Sequence, residues 1–419
     1  MPLLSHNPHR ERVAHHASQR SVHAAFAWLH GHPKTIMDWQ MELTAIPAPP
    51  FGEEARSAWM AARFNEIGLT GVRTDTLGNV FATLAAAHLP PESSGPVVFL
   101  SAHLDTVFPA ETPIHPQLDG DRLQAPGACD NGAGLAGLLA IAQALVQAEV
   151  ALPAPLVFLA NVGEEGEGDL RGIRHLYKED PLAGRIAAHL VLDGAGAEPA
   201  VCRALGSRRF RVTVQGPGGH SFTDAGTPNP IAALSAALAE FSRMALPDEP
   251  RTTFNIGSIH GGVSVNAIPE EVQAALDLRS TSPDQLLRME VALFRAVEDA
   301  VEQCNRQAAE QPSRSRGPLR FHIDKIGDRP AAVLPADSPL LEALYAVDRH
   351  LGLRSELLLG STDANIPLSL GVPALSLGAG GQGGGAHTLS EWYSGKDRET
   401  GLRRVLLLTL VMLDWAAGQ

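Results

Sequence analysis

His103 and Asp105 stand two residues apart in Ser101-Ala102-His103-Leu104-Asp105-Thr106, directly after the apolar run Val97-Val98-Phe99-Leu100. An imidazole and a carboxylate at that spacing suit a metal ligand and the acid that orients it. Asp130 follows in the turn Gly127-Ala128-Cys129-Asp130-Asn131-Gly132, just before a long Ala/Leu/Gly segment. Glu164 and Glu165 adjoin in Gly163-Glu164-Glu165-Gly166, behind another apolar run. Adjacent acids repel each other, and a nearby cation resolves that cost. Asp193 closes Leu190-Val191-Leu192, and His387 follows a glycine-rich loop over 378–385. Imidazole and carboxylate donors suit hard or borderline divalent ions. Two ions about 3.5–4 Å apart need a bridging carboxylate and further ligands on each side. His103, Asp130, Glu165, Asp193 and His387 offer such a set, with Glu164 to spare. Each residue alone is commonplace, because helix caps and turns use the same types. The recurrence carries the inference.

The elements that must position these groups are legible in the hydropathy pattern. Short apolar runs at 97–100, 156–160, 190–192 and 374–377 each end on acids or lead to a histidine. Runs without a polar break read as strands of a parallel sheet buried on both faces. Open α/β sheets bind ligands outside the carboxyl ends of their strands, which gathers these groups on one edge. The segment 132–148 is nearly all apolar, as expected of a helix packed on that sheet. Helical patterns at 18–45, broken at Gly31-His32-Pro33, and at 53–67 precede it, with a hairpin signal at Gly78-Asn79. The stretch 208–324 reads differently: Phe210, Val212 and Val214 alternate with Arg209, Arg211 and Thr213, and strand and helix patterns follow in the order βαββαβ. That order fits a small sheet with helices on one face. The polar segment 302–317 reads as a loop within it. The expected fold is α/β, a mostly parallel sheet sandwiched by helices over 1–207 and 325–419, with an α+β domain inserted over 208–324.

The chain of 419 residues is long enough for two cores. Its 44% hydrophobic and 19% charged content is ordinary for a globular protein. A formal net charge of -13 argues against nucleic acid and an anionic membrane surface as partners. Cys129, Cys202 and Cys304 are too widely spaced for a disulfide framework or a zinc knot, which favours a reducing, cytoplasmic setting. No run reaches the ~18 apolar residues of a membrane span, and no signal-peptide core opens the chain. His6, His9, His15, His16, His23, His30 and His32 crowd the beginning without a repeat, and read as a polar segment with solvated histidines.

Seven motifs in order carry a resemblance: His103-Leu104-Asp105-Thr106-Val107, Asp130-Asn131-Gly132, Gly163-Glu164-Glu165-Gly166, Leu192-Asp193, Gly218-Gly219-His220-Ser221, Asn266-Ala267-Ile268-Pro269 and Ala386-His387-Thr388. Over roughly residues 35 to 415 the chain resembles the co-catalytic zinc exopeptidases and deacylases, the superfamily of peptidase T, carboxypeptidase G, acetylornithine deacetylase, succinyl-diaminopimelate desuccinylase and aminoacylase-1. The resemblance implies that Asp130 bridges two metal ions, with His103 and Asp193 on one and Glu165 and His387 on the other. It implies that Asp105 holds the His103 tautomer, and that Glu164 is the general base that takes a proton from the attacking water and hands it to the leaving amine. A cis peptide between Asp130 and Asn131 is implied as well. The family often has a second Asp where this chain has Asn131; little consequence is expected. The inserted domain resembles a lid and dimerisation domain, with His220 reaching a neighbouring subunit's site. Asn266, Arg279 and the loop containing Gly384 match substrate contacts, although Arg279 also suits the polar face of an edge strand.

The expected function is therefore a two-metal amide hydrolase: an exopeptidase of short peptides, or alternatively an N-acyl-amino-acid deacylase. Zinc is the expected ion, with cobalt or manganese as alternatives, and the expected assembly is a homodimer through the inserted domain. A metabolite-binding relative without activity would have lost a ligand or the base, and none is lost. The glycine loop lacks the Gly-Lys-Ser/Thr ending of a phosphate loop.

Overall fold

A computed structural model of the chain describes residues 9–87, 95–310 and 315–419. The chain separates into two compact units, one of residues Met1–Ala204 with Val333–Gln419, the other Leu205–Ala332.

The first unit is built on a nine-stranded sheet. Its centre runs Leu156–Asn161, Val97–His103, Ile186–Leu192, Ala374–Leu377, with neighbours parallel throughout. Every residue of Val97–His103, Leu156–Asn161 and Ala374–Leu377 is buried, which is why these strands read as unbroken apolar runs. The hairpin Thr70–Thr74 and Val80–Leu84 extends the sheet antiparallel at one end. The helices Gly132–Gln147 and Arg398–Ala417, both almost wholly buried, pack on Val97–His103. Leu170, Ile173 and Leu176, on or just before the helix Arg171–Glu179, pack with Phe81, Phe99, Val157 and Leu159 in a separate cluster. Among the described residues no helix is long and apolar enough to cross a membrane.

Two features of this unit depart from the sequence expectation. The histidine-rich beginning forms the helices His9–Ser18 and Arg20–Gly31, and His9 and His16 are buried rather than solvated. His16 Nε2 lies 2.7 Å from Asp414 Oδ2. His6 lies outside the described residues. A second, four-stranded sheet joins Gln117–Asp119, Arg122–Gln124, Trp392–Ser394 and Gln382–Gly384, so the glycine-rich segment is in part a strand.

The other unit is an antiparallel sheet in the order Thr252–Gly261, Glu271–Ser280, Gly206–Gln215, Arg320–Arg329. Phe210, Val212, Val214, Val272, Leu276 and Leu278 form its core with Leu234 of the helix Pro230–Phe241 and Met289 and Leu293 of Pro283–Ala309. The unit begins earlier and ends later than the pattern of 208–324, because its first strand starts at Gly206 and its last continues to Arg329. The long helix also runs on to Ala309, into the segment expected to be loop. Residues 311–314 of that segment lie outside the described residues.

Candidate metal centre

The carboxyl ends of Val97–His103, Leu156–Asn161 and Ile186–Leu192 carry His103, Asp105, Glu164, Glu165 and Asp193, and these are joined by Asp130, from the turn before Gly132–Gln147, and His387, which follows Gln382–Gly384. Three groups of metal-ligating atoms, each within 4.8 Å of one another, are His103 with Asp130 and Asp193, Asp130 with Glu165 and His387, and His103 with Glu164 and Glu165. Asp130 belongs to two of them and divides its oxygens. Its Oδ1 is 3.1 Å from His103 Nε2, and its Oδ2 is 3.0 Å from His387 Nε2. His387 Nε2 is also 3.0 Å from Glu165 Oε1, and His103 Nε2 is 3.8 Å from Asp193 Oδ1.

Asp130 is positioned by the turn that precedes the helix Gly132–Gln147, and the Asp130–Asn131 peptide is cis, as the resemblance implied. Asn131 caps that helix by accepting the Gly134 N–H at 3.0 Å. Its amide also donates to Leu192 O at 2.8 Å and accepts from Gly194 N at 3.2 Å. One side chain thus fixes the Asp130 turn against the strand end that carries Asp193. An aspartate could not make the bond to Leu192, so the asparagine has a structural role beyond the little consequence expected of it.

Asp105 departs from expectation in its manner of contact. His103 Nδ1 bonds the Asp105 backbone carbonyl at 3.0 Å, while the Asp105 Oδ1 is 3.6 Å away. The bond to a carbonyl makes Nδ1 the protonated nitrogen and leaves Nε2 as the ligand atom. The Asp105 carboxylate accepts the backbone N–H of Glu164 at 2.9 Å and of Glu165 at 2.7 Å. It therefore seats the paired acids against the His103 strand end.

The electrostatics suit a cation. Burial opposes charge on His103, yet the Asp105, Asp130 and Asp193 carboxylates outweigh it and raise its pKa well above the ordinary value. His387 is pushed up to about 10 by its bonds to Asp130 and Glu165. Burial works against the Asp130 and Asp105 carboxylates, but the histidines hold both below the usual range. Asp130 Oδ1 is buried without a hydrogen-bond partner despite the nearby imidazole. Imidazole and carboxylate donors gathered within 4.8 Å of one another suit a divalent ion, and the two groups that share Asp130 fit two.

Of the remaining expected residues, Gly384 lies on Gln382–Gly384, where an added Cβ would come 3.0 Å from Trp392 Nε1. His220, Asn266 and Arg279 belong to the other unit. His220 and Asn266 are brought together: Gly219–His220 pairs with Ala267–Ile268, and Ser221 N donates to Asn266 O at 3.0 Å. Arg279 pairs with Thr253 and Ser207, near the point where the unit leaves the chain, and its Nε donates to Asp277 at 2.6 Å. It sits eight positions along its strand from Glu271. At about 3.3 Å per residue that is roughly 26 Å.

Glu391 and Asp363 were not anticipated. Glu391 is fully buried under the Asp130 turn, and Asp363, 1% exposed, accepts from Asn161 Nδ2 at 2.7 Å. Burial, relieved in part by the charge of His103, pushes Asp363 up to about 7. Asp363 lies three residues past the strand Glu356–Gly360, whose Leu357-Leu358-Leu359 run could have marked it, whereas Glu391 follows no apolar run and no local pattern marks it.

Residues 99–410 match the model of peptidase family M20/M25/M40, and the chain belongs to that family. A probable carboxypeptidase of Neosartorya fischeri is 28% identical over 321 residues, 70% of this chain and 72% of the relative. A tripeptidase from Staphylococcus aureus superposes with a TM-score of 0.70 at 23% identity, covering 91% of this chain and 99% of that one. The YXEP protein of Bacillus subtilis, described as a dinuclear metal binding peptidase, gives a TM-score of 0.62 at 16% identity over 91% of this chain and 98% of its own.

Proposed function

We propose that the protein is a zinc-dependent exopeptidase of short peptides, active as a cytoplasmic homodimer. The observation that carries the reading is the division of Asp130, one oxygen toward His103 and the other toward His387. His103 and Asp193 would hold one ion, Glu165 and His387 the other, and Asp130 both. The ions, when bound, supply Lewis-acid polarisation of the scissile carbonyl and a nucleophile at neutral pH. Glu164 takes the proton from the attacking water and returns it to the departing amine nitrogen as the C–N bond breaks. Asp105 orients that glutamate through its backbone N–H and anchors the His103 strand end. His220 donates to the developing oxyanion, and Asn266 and the Gly384 strand contact the substrate, while Arg279, far along its strand and bonded to Asp277, keeps the alternative reading of a polar-face residue. The free cysteines Cys129, Cys202 and Cys304 support a reducing compartment.

A panel of dipeptides, tripeptides and N-acyl amino acids, offered to enzyme loaded with zinc, cobalt or manganese, tests this. Release of a terminal residue from peptides, lost with a chelator and restored by zinc, is the expected result. Turnover confined to N-acyl amino acids would make it a deacylase with the same machinery. No turnover of either class by enzyme carrying two ions would overturn the proposal.

A further inference from the structure

Glu391 is a carboxylate closed off from solvent and with no role yet in the site. It is 0% exposed. Its Oε1 accepts the backbone N–H of Cys129 and of Asp130, each at 2.7 Å, and its Oε2 accepts that of Gly127 at 2.8 Å. The turn carrying Asp130 is therefore wrapped around a single acid. Gly127 permits the wrap: it has φ 76°, and an added Cβ would lie 2.7 Å from Thr106 Cγ2. Charge-assisted bonds from backbone N–H to carboxylate are among the stronger ones, and burial removes water as a competitor.

The same residue belongs to the segment that carries His387. Its backbone N–H bonds Thr388 O at 3.2 Å, and its carbonyl accepts from Ala125 N at 3.1 Å. Four hydrogen bonds from Glu391 to residues 125–130, with a fifth to Thr388, thus tie the His387 turn to the Asp130 turn. Those two turns supply opposite sides of one ligand group, in which His387 Nε2 and Asp130 Oδ2 stand 3.0 Å apart.

We propose that Glu391 is a positioning residue that sets the separation of Asp130 and His387 and so fixes the affinity of the ion held by Asp130, Glu165 and His387. The inference rests on the two-metal reading above. A ligand set must be held to within about 0.5 Å to be productive. Loss of an outer partner of a metal site typically costs about 10–100-fold in metal affinity.

Glu391→Gln is the variant of choice. It keeps the shape, but its NH2 must face at least one of the three N–H donors, so the wrap opens. Stripped full-length protein is titrated with Co(II) and followed by its visible d–d absorption, with circular dichroism and melting temperature in parallel. Wild type is expected to take two ions. The variant is expected to keep its fold and one ion, and to bind the other about 10–100-fold more weakly with an altered spectrum. Two ions at wild-type affinity with the wild-type spectrum, whatever the melting temperature, would overturn the proposal and leave Glu391 a fold element only. Should Glu391→Gln not fold, Glu391→Asp keeps the charge on a shorter arm. It is expected to weaken the same ion, and wild-type affinity there would overturn the proposal equally. Wild type taking up fewer than two ions would instead sink the two-metal reading itself.

Discussion

Glu164 and Glu165 are chemically identical neighbours to which the proposed function assigns different work. Both have their N–H groups bonded to Asp105, and the Glu165 carboxylate lies 3.0 Å from His387 Nε2. A ligand and a base fail in different ways. Glu164→Gln keeps the shape and cannot take a proton, so turnover should fall by about 10²–10⁴-fold while metal content stays at two ions. Metal analysis beside steady-state rates checks this, and loss of one ion would mean the two glutamates have exchanged roles. A second residue tests the core behind the site. His189 is wholly buried on its strand, with Tyr177 OH at 3.0 Å and Ser101 Oγ at 2.8 Å, and burial lowers its pKa to about 3. The unfolded chain would titrate near 6.5. Between those values the unfolded state binds the extra proton, so stability from this group is intact above about pH 6.5 and falls as pH drops toward 3, by up to about 1.4 kcal/mol per pH unit. Melting curves from pH 7 to 5 should fall less steeply for His189→Asn than for wild type. Parallel slopes would contradict this.

At the scale of elements, Asn131 is where helix, turn and sheet meet. Asn131→Ala removes the helix cap and both bonds to the 192–194 strand end. A lost cap costs about 0.5–2 kcal/mol, and a stranded buried partner about 1–3 kcal/mol more. Denaturant unfolding should register a loss in that range, and a variant within 0.5 kcal/mol of wild type would deny the junction its weight. The strands that deliver the ligands were legible because a parallel sheet covered on both faces demands unbroken apolar runs, and Val97–His103 and Leu156–Asn161 obey that demand. The alternation of Phe210, Val212 and Val214 was legible for the converse reason, one face being packed on helices. What escaped depends on partners far away in sequence. The helix His9–Ser18 has no apolar stripe, and the acid that meets its His16 lies 398 residues on. The strands Arg122–Gln124 and Trp392–Ser394 are too short for a periodic signal and exist by pairing with each other. Glu391 is hidden likewise, its donors lying more than 260 positions before it.

For the molecule as a whole, the proposed function turns on whether His220 serves its own chain or a neighbour. The strand-end loops of the first unit supply acids and imidazoles in plenty, and the proposed function uses His103 and His387 as ligands. Under the proposed function, His220 of the other unit supplies a donor to the developing oxyanion. Its Nδ1 accepts the backbone N–H of Phe222 at 3.2 Å and of Thr223 at 3.3 Å, which leaves the ring proton on Nε2. The loop is exposed, and Phe222, Val263 and Val265 beside it are 86%, 92% and 103% exposed, a set of apolar side chains that association would cover. His220→Ala should keep both metals and the fold, and lose about 10²–10³-fold in turnover, the usual cost of one oxyanion donor. Mixing it with Glu164→Gln decides the direction of the contact. If His220 serves a neighbour's site, a hybrid dimer holds one site with both residues intact, and activity returns on mixing and re-association. If it serves its own chain, every site in the mixture lacks one group and none returns. Sedimentation of the wild-type enzyme fixes the other condition: a monomer with full activity would end the trans assignment and leave His220 to act by closure over its own site.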